Sequence, residues 1–293
     1  MAASILWMGK VIYIIGILIT LAGFQRGAAA LAEPPEQTEM AEMVPLKVMT
    51  LNLHGGVNWY GQYDLDSIVR FIEEVQPDLI GMQEVDRGWS SASRFEDIPG
   101  ELARRLKMFY AYSASLERNG GNFGNLVLSR YPIVAIWSEL LPGALERRSF
   151  AFVQVLAHGV RVNFLTTHLG LSLEDRREQA AAMLQFINRV NGPLIVTGDF
   201  NGGIDDPSVA VFREGLIDVQ GVSALAGQGT FRPKTGPMGP RIDYIFASSE
   251  FAPADFRIFD NFISDHLPLV AQLFMGISPL QIAGESVYYQ SGF

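Results

Sequence analysis

The amino-acid sequence predicts one layered α/β domain with mixed β-sheets. Helix-like and strand-like segments alternate near both ends of the body of the chain, and strand-like segments joined by short turns fill its middle. This order of elements is typical of layered α/β domains. Hydrophobic residues make up 48% of the 293 residues, which is enough for one sizeable core. Because the composition does not change along residues 46–275, we expect a single domain there.

The helices are predicted from the spacing of apolar residues. Residues 64–75, 99–106 and 173–190 each carry apolar side chains at helical intervals. Asp64 is a residue type that caps helix N-termini, and Pro77-Asp78 ends the first helix. The third helix is predicted to be the longest.

The remaining apolar segments are short and contain many β-branched residues, which is typical of strands. Turn sequences such as Asn119-Gly120 and His158-Gly159 separate those in the middle of the chain. Strands are predicted over residues 46–52, 79–82, 109–113, 124–129, 133–140, 150–156, 160–167, 194–197, 242–246, 256–259 and 267–274.

The N-terminal segment, residues 1–32, resembles an export signal. Lys10 precedes the apolar run 11–24, and Ala30-Leu31-Ala32 then matches the small-residue pattern of a signal-peptidase site. The alternative is an uncleaved membrane anchor over residues 5–24, whose length of 20 residues is close to the roughly 20 that span a bilayer. Both interpretations predict an exported body, periplasmic or extracellular, which contacts the membrane through this segment if it is not cleaved.

Two further segments flank the predicted domain. Residues 33–45 are rich in Pro and Glu and lack periodicity, so we predict a linker. Residues 276–293 continue beyond the last predicted strand, and the sequence assigns them no role.

Composition excludes several classes of site and partner. The chain has no cysteine, which excludes disulfides, thiolate metal sites and a cysteine nucleophile. Its net charge of −9 is a poor match for long stretches of nucleic acid. Nucleic acid is therefore a possible partner but not a favoured one, and no segment indicates a protein partner.

Polar residues follow several of the predicted strands at the point where each strand ends. Because side chains at strand ends can converge on one edge of a sheet, they are candidates for a common site. Asp243 differs, since it lies inside an apolar strand and needs a partner such as a histidine if it is buried. The residues at strand ends are Asn52, His54, Glu84, His168, Asp199, Asn201, Asp265 and His266.

Each of these residues also has a structural explanation. Asp199 and Asn201 could form an ordinary Asx turn, Glu84 could cap a backbone or pair with Arg87, and His168 and His266 could be core histidines. Taken together, carboxylates and amides without cysteine are ligands suited to Mg²⁺ or Mn²⁺. No esterase nucleophile elbow or phosphate-binding loop is present. The set therefore favours metal-assisted attack of water on phosphorus.

Seven motifs in order carry a resemblance to a known family: TLNLHGG, PDLIGMQEVD, GNLVLSRYPI, THLG, GDFN, RIDYIF and SDHLP. They extend from about Lys47 to about Leu273. In these motifs the chain resembles the endonuclease/exonuclease/phosphatase (deoxyribonuclease-I-like) superfamily, and its compact bacterial members most. The resemblance implies a four-layer α/β/β/α sandwich of two mostly antiparallel mixed sheets with helices outside.

The resemblance also implies residue roles. Asp199 would orient and deprotonate the attacking water, with Asn201 holding it or the phosphate. His266, paired with Asp243, would face the scissile phosphate as a base or as a charge stabiliser. His168 would be a second histidine facing the phosphate.

The implied metal ligands are Glu84, with Asn52 beside it and Asp265 near or at the ion. The ion implied is Mg²⁺, with Mn²⁺ as a possible substitute. Asn125 and Arg148 are candidate substrate-binding residues. The alternatives are a plain strand residue for Asn125 and a solvated surface pair for Arg147-Arg148.

The acidic charge and the export signal favour a small or lipid-linked phosphodiester as substrate. The second interpretation is an extracellular or periplasmic metal-dependent nuclease. A third is a non-catalytic binding module that has kept the fold.

Overall fold

The computed structural model describes residues 42–277, which fold into two β-sheets with helices outside them. No helix within this range is long and apolar enough to span a membrane. The predicted export segment 1–32 lies outside the described residues. The strands are β1 (Glu42–Asn52), β2 (Leu79–Arg87), β3 (Phe109–Arg118), β4 (Gly121–Ser129), β5 (Ile133–Leu141), β6 (Arg148–Ala157), β7 (Val160–His168), β8 (Leu194–Asp199), β9 (Ile217–Asp218), β10 (Asp243–Ala247), β11 (Phe251–Ile258) and β12 (Leu269–Ile277).

Each sheet has six strands. The order is β11-β12-β1-β2-β4-β3 in the first sheet and β5-β6-β7-β8-β10-β9 in the second. The pairs β1–β2 and β7–β8 are parallel, and the other pairs are antiparallel. The prediction of two mostly antiparallel mixed sheets is therefore confirmed.

Within residues 42–277, four α-helices and one 3-10 turn (His54–Gly56) complete the fold. The helices are α1 (Leu65–Val75), α2 (Ile98–Leu106), α3 (Leu173–Ile187) and α4 (Pro207–Arg213). Ile68 and Leu102 bring α1 and α2 into a core cluster with the first sheet. Met183 and Phe212 bring α3 and α4 into a cluster with the second sheet. A third apolar cluster draws residues from both sheets and lies between them. These three apolar layers separate four layers of secondary structure, as the sandwich requires.

The predicted helix starts are explained by capping. Asp64 accepts a hydrogen bond from the backbone N of Ser67 at 3.0 Å, and Ser172 accepts one from Asp175 at 3.1 Å. Both satisfy an amide that the helix itself leaves without a partner. The sequence did not predict α4 or β9, because both are too short to show a period.

Several strands are longer than predicted, because pairing with a neighbour extends them past their apolar residues. β1 begins at Glu42, inside the predicted linker 33–45, since Glu42 pairs with Ile277 of β12. The same pairing carries β12 beyond the predicted domain limit at residue 275. β2 continues to Arg87 through a bulge between Met82 and Val85.

Gly81 of β2 lies where the two sheets approach each other closely. A Cβ atom at Gly81 would lie 2.2 Å from Thr197 Oγ1 and 2.5 Å from Thr166 Oγ1, both on the opposite sheet. We expect Gly81→Val to lower the free energy of unfolding by roughly 1–3 kcal/mol or more, as overpacking does. Urea unfolding measures this. Gly215→Val is the control, since no atom lies within 4 Å of its added Cβ; equal stability of both variants would contradict the prediction.

Candidate active site

The candidate site forms where strand ends of the two sheets meet. Asn52 ends β1, His168 ends β7 and Asp199 ends β8, while Asp243 begins β10 directly opposite Asp199. The side-chain amide of Asn52 joins the sheets, because it donates to Glu84 Oε1 at 2.9 Å and to Asp199 Oδ2 at 3.0 Å. The topology therefore brings together residues that the sequence separates by more than a hundred positions.

His266 is held against two buried carboxylates. Its Nδ1 lies 2.9 Å from Asp243 Oδ2, and its Nε2 lies 3.7 Å from Asp199 Oδ2. Burial alone lowers the pKa of His266, but the negative charges of Asp243 and Asp199 outweigh it and raise this pKa to about 10. At neutral pH the imidazole is therefore a cation, with Nδ1–H donated to Asp243.

Asp199 is the central carboxylate of the site. It is buried, and its Oδ1 accepts from the backbone N of Asn201 at 2.9 Å. Burial raises its pKa to about 7, although the nearby His266 cation acts in the opposite direction. A carboxylate with a pKa near neutrality can accept a proton under physiological conditions.

His168 faces the same carboxylate from the other side. Its Nε2 lies 3.4 Å from Asp199 Oδ2, and its Nδ1 lies 3.1 Å from Arg148 Nη1. Because a guanidinium only donates, Nδ1 is the acceptor and the neutral ring carries its hydrogen on Nε2. This hydrogen is directed at Asp199 Oδ2 and not at Asn201 Nδ2, which is itself a donor. Burial and, after it, the charge of Arg148 lower the pKa of His168 well below its usual value. His168 is thus a neutral hydrogen-bond donor, in contrast to cationic His266.

Asn201 completes this side of the site. Its Nδ2 donates to the carbonyl of Leu169 at 2.9 Å and lies 3.0 Å from His168 Nε2. Its backbone has a positive φ of 49°, a conformation that asparagine adopts more readily than most residues. Asp199 and Asn201 therefore form the Asx turn that the sequence allowed, and this turn positions the side-chain amide of Asn201 at the site.

The residues predicted as metal ligands lie near the Asn52 end of β1. Glu84 is partly exposed at the bulge of β2 with φ 54°, and one of its carboxylate oxygens accepts from Asn52. Among residues 42–277, no Lys or Arg forms an ion pair with Glu84. A carboxylate without a Lys or Arg partner in the described chain is a ligand type that suits a divalent cation. Asn52 turns its amide nitrogen towards Glu84, and its Oδ1 accepts from the backbone N of His54.

A second group could also hold a metal, because Asp199, Asp243 and His266 offer ligand atoms within 4.8 Å of one another. In the metal-free protein His266 is protonated, so a cation bound at this group would displace that proton. Asn52 links the two groups, because its side-chain amide donates to both Glu84 and Asp199.

Two residues of the site carried no predicted role. His54 donates from Nδ1 to Asp265 Oδ1 at 3.0 Å, and Thr230 Oγ1 donates to Asp243 Oδ2 at 2.6 Å. The position of His54 in TLNLHGG, two residues after Asn52, was a usable signal. Thr230 lies in the Gly- and Pro-rich segment 227–240, and nothing in the sequence distinguishes it from its neighbours.

The two candidate substrate-binding residues are both buried. Asn125 of β4 donates to the carbonyl of Ser149 in β6 at 2.8 Å, so it bridges the sheets. Arg148 contacts His168 and also pairs with Glu146 at 2.9 Å. The alternative that Arg147-Arg148 is a solvated surface pair is wrong for Arg148, which is 5% exposed. Substrate contact by Asn125 or Arg148 stays a prediction.

The pKa of His266 predicts how stability changes with pH in the metal-free protein. A pKa raised from 6.5 to about 10 means that folding gains from protonation below about 6.5 and loses this gain as pH rises through about 10. The raised pKa of Asp199 makes the free energy of unfolding depend on pH only at and below about pH 7. We therefore expect the Tm to fall between about pH 7 and pH 10 in EDTA.

Thermal melts across this pH range measure the effect. His266→Gln should flatten the slope, whereas His158→Gln should keep it, because His158 lies on the surface beside Tyr131. Equal slopes in the two variants would contradict the assignment.

A sequence model of the endonuclease/exonuclease/phosphatase family matches residues 49–266. The chain is also similar to the uncharacterized protein YbhP of Escherichia coli (strain K12). The two are 25% identical over 259 residues, which cover 82% of this chain and 99% of YbhP.

Solved structures with similar folds include an endonuclease/exonuclease/phosphatase from Beutenbergia cavernae DSM 12333. It has a TM-score of 0.67 and 28% identity, and the match covers 79% of this chain and 72% of that one. The mannosyl-6-phosphatase Bt3783 of Bacteroides thetaiotaomicron VPI-5482 has a TM-score of 0.62 and 21% identity, covering 78% and 99%. The human Nocturnin catalytic domain with bound sulfate has a TM-score of 0.58 and 20% identity, covering 80% and 98%. The last two are similar in fold alone.

Proposed function

Because the chain belongs to the endonuclease/exonuclease/phosphatase family, we propose that it is an exported, divalent-metal-dependent enzyme that directs water at the phosphorus of a phosphodiester. Hydrolysis of a phosphoester is the activity that family membership gives it. The metal, the export and the diester are the finer parts of the proposal. We favour a small or lipid-linked head group as the substrate.

The observation that carries the proposal is the arrangement of three ionisable side chains with different charges around one point. Asp199 lies between cationic His266 at 3.7 Å and neutral His168 at 3.4 Å. Such an arrangement separates the role of base from the role of charge stabiliser within one site. If His168 and His266 only stabilised the fold, their pKa values would not need to differ in this way.

Each residue of the site has a separate role in the proposed reaction. Asp199 accepts a proton from the attacking water as its oxygen approaches phosphorus. His266 offsets the negative charge that develops on the phosphoryl oxygens, and His168 donates a neutral hydrogen bond from Nε2. Asp243 keeps His266 protonated and fixes its orientation. As the bond from water to phosphorus forms, the P–O bond to the leaving group breaks. The leaving alkoxide takes up a proton from solvent and Asp199 later releases one, so the products are an alcohol and a phosphomonoester.

Glu84 would hold the divalent cation, with Asn52 and Asp265 beside it. When bound, Mg²⁺ or Mn²⁺ supplies Lewis-acid polarisation of a phosphoryl oxygen. Asn52 links this position to the base, because its amide contacts both Glu84 and Asp199.

The substrate class is supported by charge and by the N-terminal sequence. A net charge of −9 disfavours long polyanions, whose affinity depends on Lys and Arg contacts. The apolar run 11–24 supports export, and an uncleaved segment 5–24 would keep the enzyme at a membrane.

A substrate panel tests the activity. The full-length protein is expected to hydrolyse bis(p-nitrophenyl) phosphate, and to prefer sphingomyelin or another small diester over plasmid DNA, RNA and inositol phosphates. A preference for RNA or DNA would support the nuclease interpretation instead. Failure on every substrate in the presence of Mg²⁺ and Mn²⁺ would remove the enzymatic proposal.

Cell fractionation tests the export. We expect the protein in the periplasm, in the medium or in the membrane fraction, and N-terminal sequencing should give Glu33 if the signal is cleaved. A cytoplasmic protein that starts at Met1 would contradict this part of the proposal.

A further inference from the structure

One side of the active-site rim carries an exposed cluster of aromatic side chains, which we name the aromatic ridge (Trp59, Tyr60 and Phe262). The Tyr60 and Phe262 rings lie 5.4 Å apart, and each also contacts the ring of Trp59. The backbone N of Trp59 donates to the carbonyl of Phe262 at 3.0 Å, so two loops hold the ridge in place. Even so, Tyr60 is 63% exposed and Phe262 is 45% exposed.

The aromatic ridge is built on the segments that supply the site. Phe262 precedes Asp265 by three residues, and Trp59 follows His54 by five. A third segment supports it, because Arg232 stacks on the Phe262 ring and its backbone N donates to the carbonyl of Asp265 at 2.7 Å. The ridge therefore stands directly beside the group of Asp265 and His266.

The opposite side of the rim carries exposed leucines, which we name the leucine ridge (Leu145 and Leu171). Leu145 is 71% exposed and Leu171 is 74% exposed. Both backbones are fixed near the start of α3, since Leu145 N donates to Asp175 at 3.3 Å and Leu171 O accepts from Arg176 at 2.7 Å. Leu171 follows His168 by three residues, so this ridge borders the His168 side of the site.

The two ridges thus flank the site, because β7 with His168 and β10 with Asp243 pair with the two edges of β8 at Asp199, and His266 contacts Asp243. Large apolar side chains that project into water beside a catalytic centre cost free energy unless something covers them. A stacked ring of a soluble substrate could cover the aromatic ridge. Such a ring would leave the leucines on the other side exposed to water, whereas the surface of a lipid bilayer would cover both ridges at once.

Cations accompany the apolar side chains on both ridges. Arg147 is exposed beside Leu145, and exposed Lys234 has its Nζ 5.0 Å from the centre of the Trp59 ring. Aromatic and leucine side chains with Lys or Arg close by are typical of surfaces that enter the lipid head-group region. The positive charges complement lipid phosphates, although exposed Glu146 and Asp260 lie on the same segments and the whole chain has a net charge of −9.

We infer that the aromatic ridge and the leucine ridge dock the enzyme on a phospholipid bilayer, with the active site between them facing the head groups. The inference rests on the proposed function, whose substrate it specifies as a phosphodiester of a membrane lipid. The sequence adds one independent indication, since the apolar segment 5–24 predicts a chain that reaches or crosses a membrane.

The absence of cysteine allows a direct test on the full-length chain. Tyr60→Cys and Leu171→Cys are each labelled with an environment-sensitive fluorophore and mixed with vesicles of phosphatidylethanolamine and phosphatidylglycerol. Val222→Cys is the matched control, because Val222 is 66% exposed and lies near Pro253, at the end of the sheets away from the site. The local label is the readout, because residues 5–24 could hold the chain on a vesicle without the ridges.

Both ridge labels are expected to shift to shorter emission wavelengths and to be quenched by spin-labelled lipid, while the Val222 label stays in water. Tyr60→Ser combined with Leu171→Ser should weaken ridge insertion, read from a label at Leu145→Cys, by about tenfold or more, since each side chain removes apolar area from water. Circular dichroism checks that every variant is folded.

Ridge labels that stay in water while wild-type protein hydrolyses bis(p-nitrophenyl) phosphate would overturn membrane docking and leave the proposed function intact. Ridge labels that insert while no phosphoester is hydrolysed would support docking and remove the proposed function. A Tyr60 label that responds to a soluble dithymidine phosphodiester but not to vesicles would overturn docking and make the aromatic ridge a stacking site.

Discussion

Replacing His266 with glutamine is expected to lower kcat on a soluble phosphodiester by at least ~10²-fold, with the fold retained. Glutamine can still donate a hydrogen bond to Asp243, so the buried carboxylate is not left without a partner. It cannot carry the positive charge that His266 holds at neutral pH. The loss should therefore appear in kcat, because that charge acts on the transition state.

The matched control is His158→Gln, since His158 lies beside Tyr131 and Pro45, away from the site. Steady-state kinetics on bis(p-nitrophenyl) phosphate and circular dichroism separate loss of chemistry from loss of fold. A His266→Gln enzyme with near-normal kcat would remove His266 from the mechanism. Asp199→Asn should show a loss of similar size, because it removes the proton acceptor.

Chelation is the second change with a large expected effect. EDTA should abolish hydrolysis, and Mg²⁺ or Mn²⁺ in excess should restore it, because the Glu84 carboxylate is a hard oxygen donor that pairs with no Lys or Arg in the described chain. Glu84→Gln should raise the Mg²⁺ concentration required for half-maximal activity by about tenfold or more.

Glu74→Gln on the exposed surface of α1 is the control for the change of charge. Isothermal titration of Mg²⁺ into the chelated protein gives a readout that does not depend on turnover. Activity that persists in EDTA would overturn the metal assignment. A Mg²⁺ affinity that Glu84→Gln leaves unchanged, but that Asp243→Asn abolishes, would move the ion to the Asp199, Asp243 and His266 group.

A membrane enzyme of this kind would differ from a soluble diesterase in where its specificity lies. The buried residues around Asp199 act on the phosphate and are indifferent to what it is attached to. The ridges lie outside this group, on loops that carry no catalytic side chain at their tips. Their substitution should therefore change which substrates are reached more than how fast a bound phosphate reacts.

Local sequence patterns were sufficient for most of the fold. Apolar periodicity predicted α1, α2 and α3, and Asp64 marked the start of α1, because helix period and capping depend on residues close in sequence. Strand limits were less predictable, since β1 extends to Glu42 only through its pairing with Ile277. Contacts across such separations leave no local pattern.

The same distinction holds for the site. The sequence by itself determined which residue types stand at the strand ends, and the motif order predicted that Asn52, Asp199 and His266 would meet. Only the tertiary structure decided their charges, because the pKa of a buried group depends on its neighbours in space. Burial and, after it, the charge of Arg148 keep His168 neutral, whereas the charges of Asp243 and Asp199 keep His266 cationic. The two ridges also exist only in three dimensions, since loops far apart in the chain must fold to one rim before their apolar side chains form a surface.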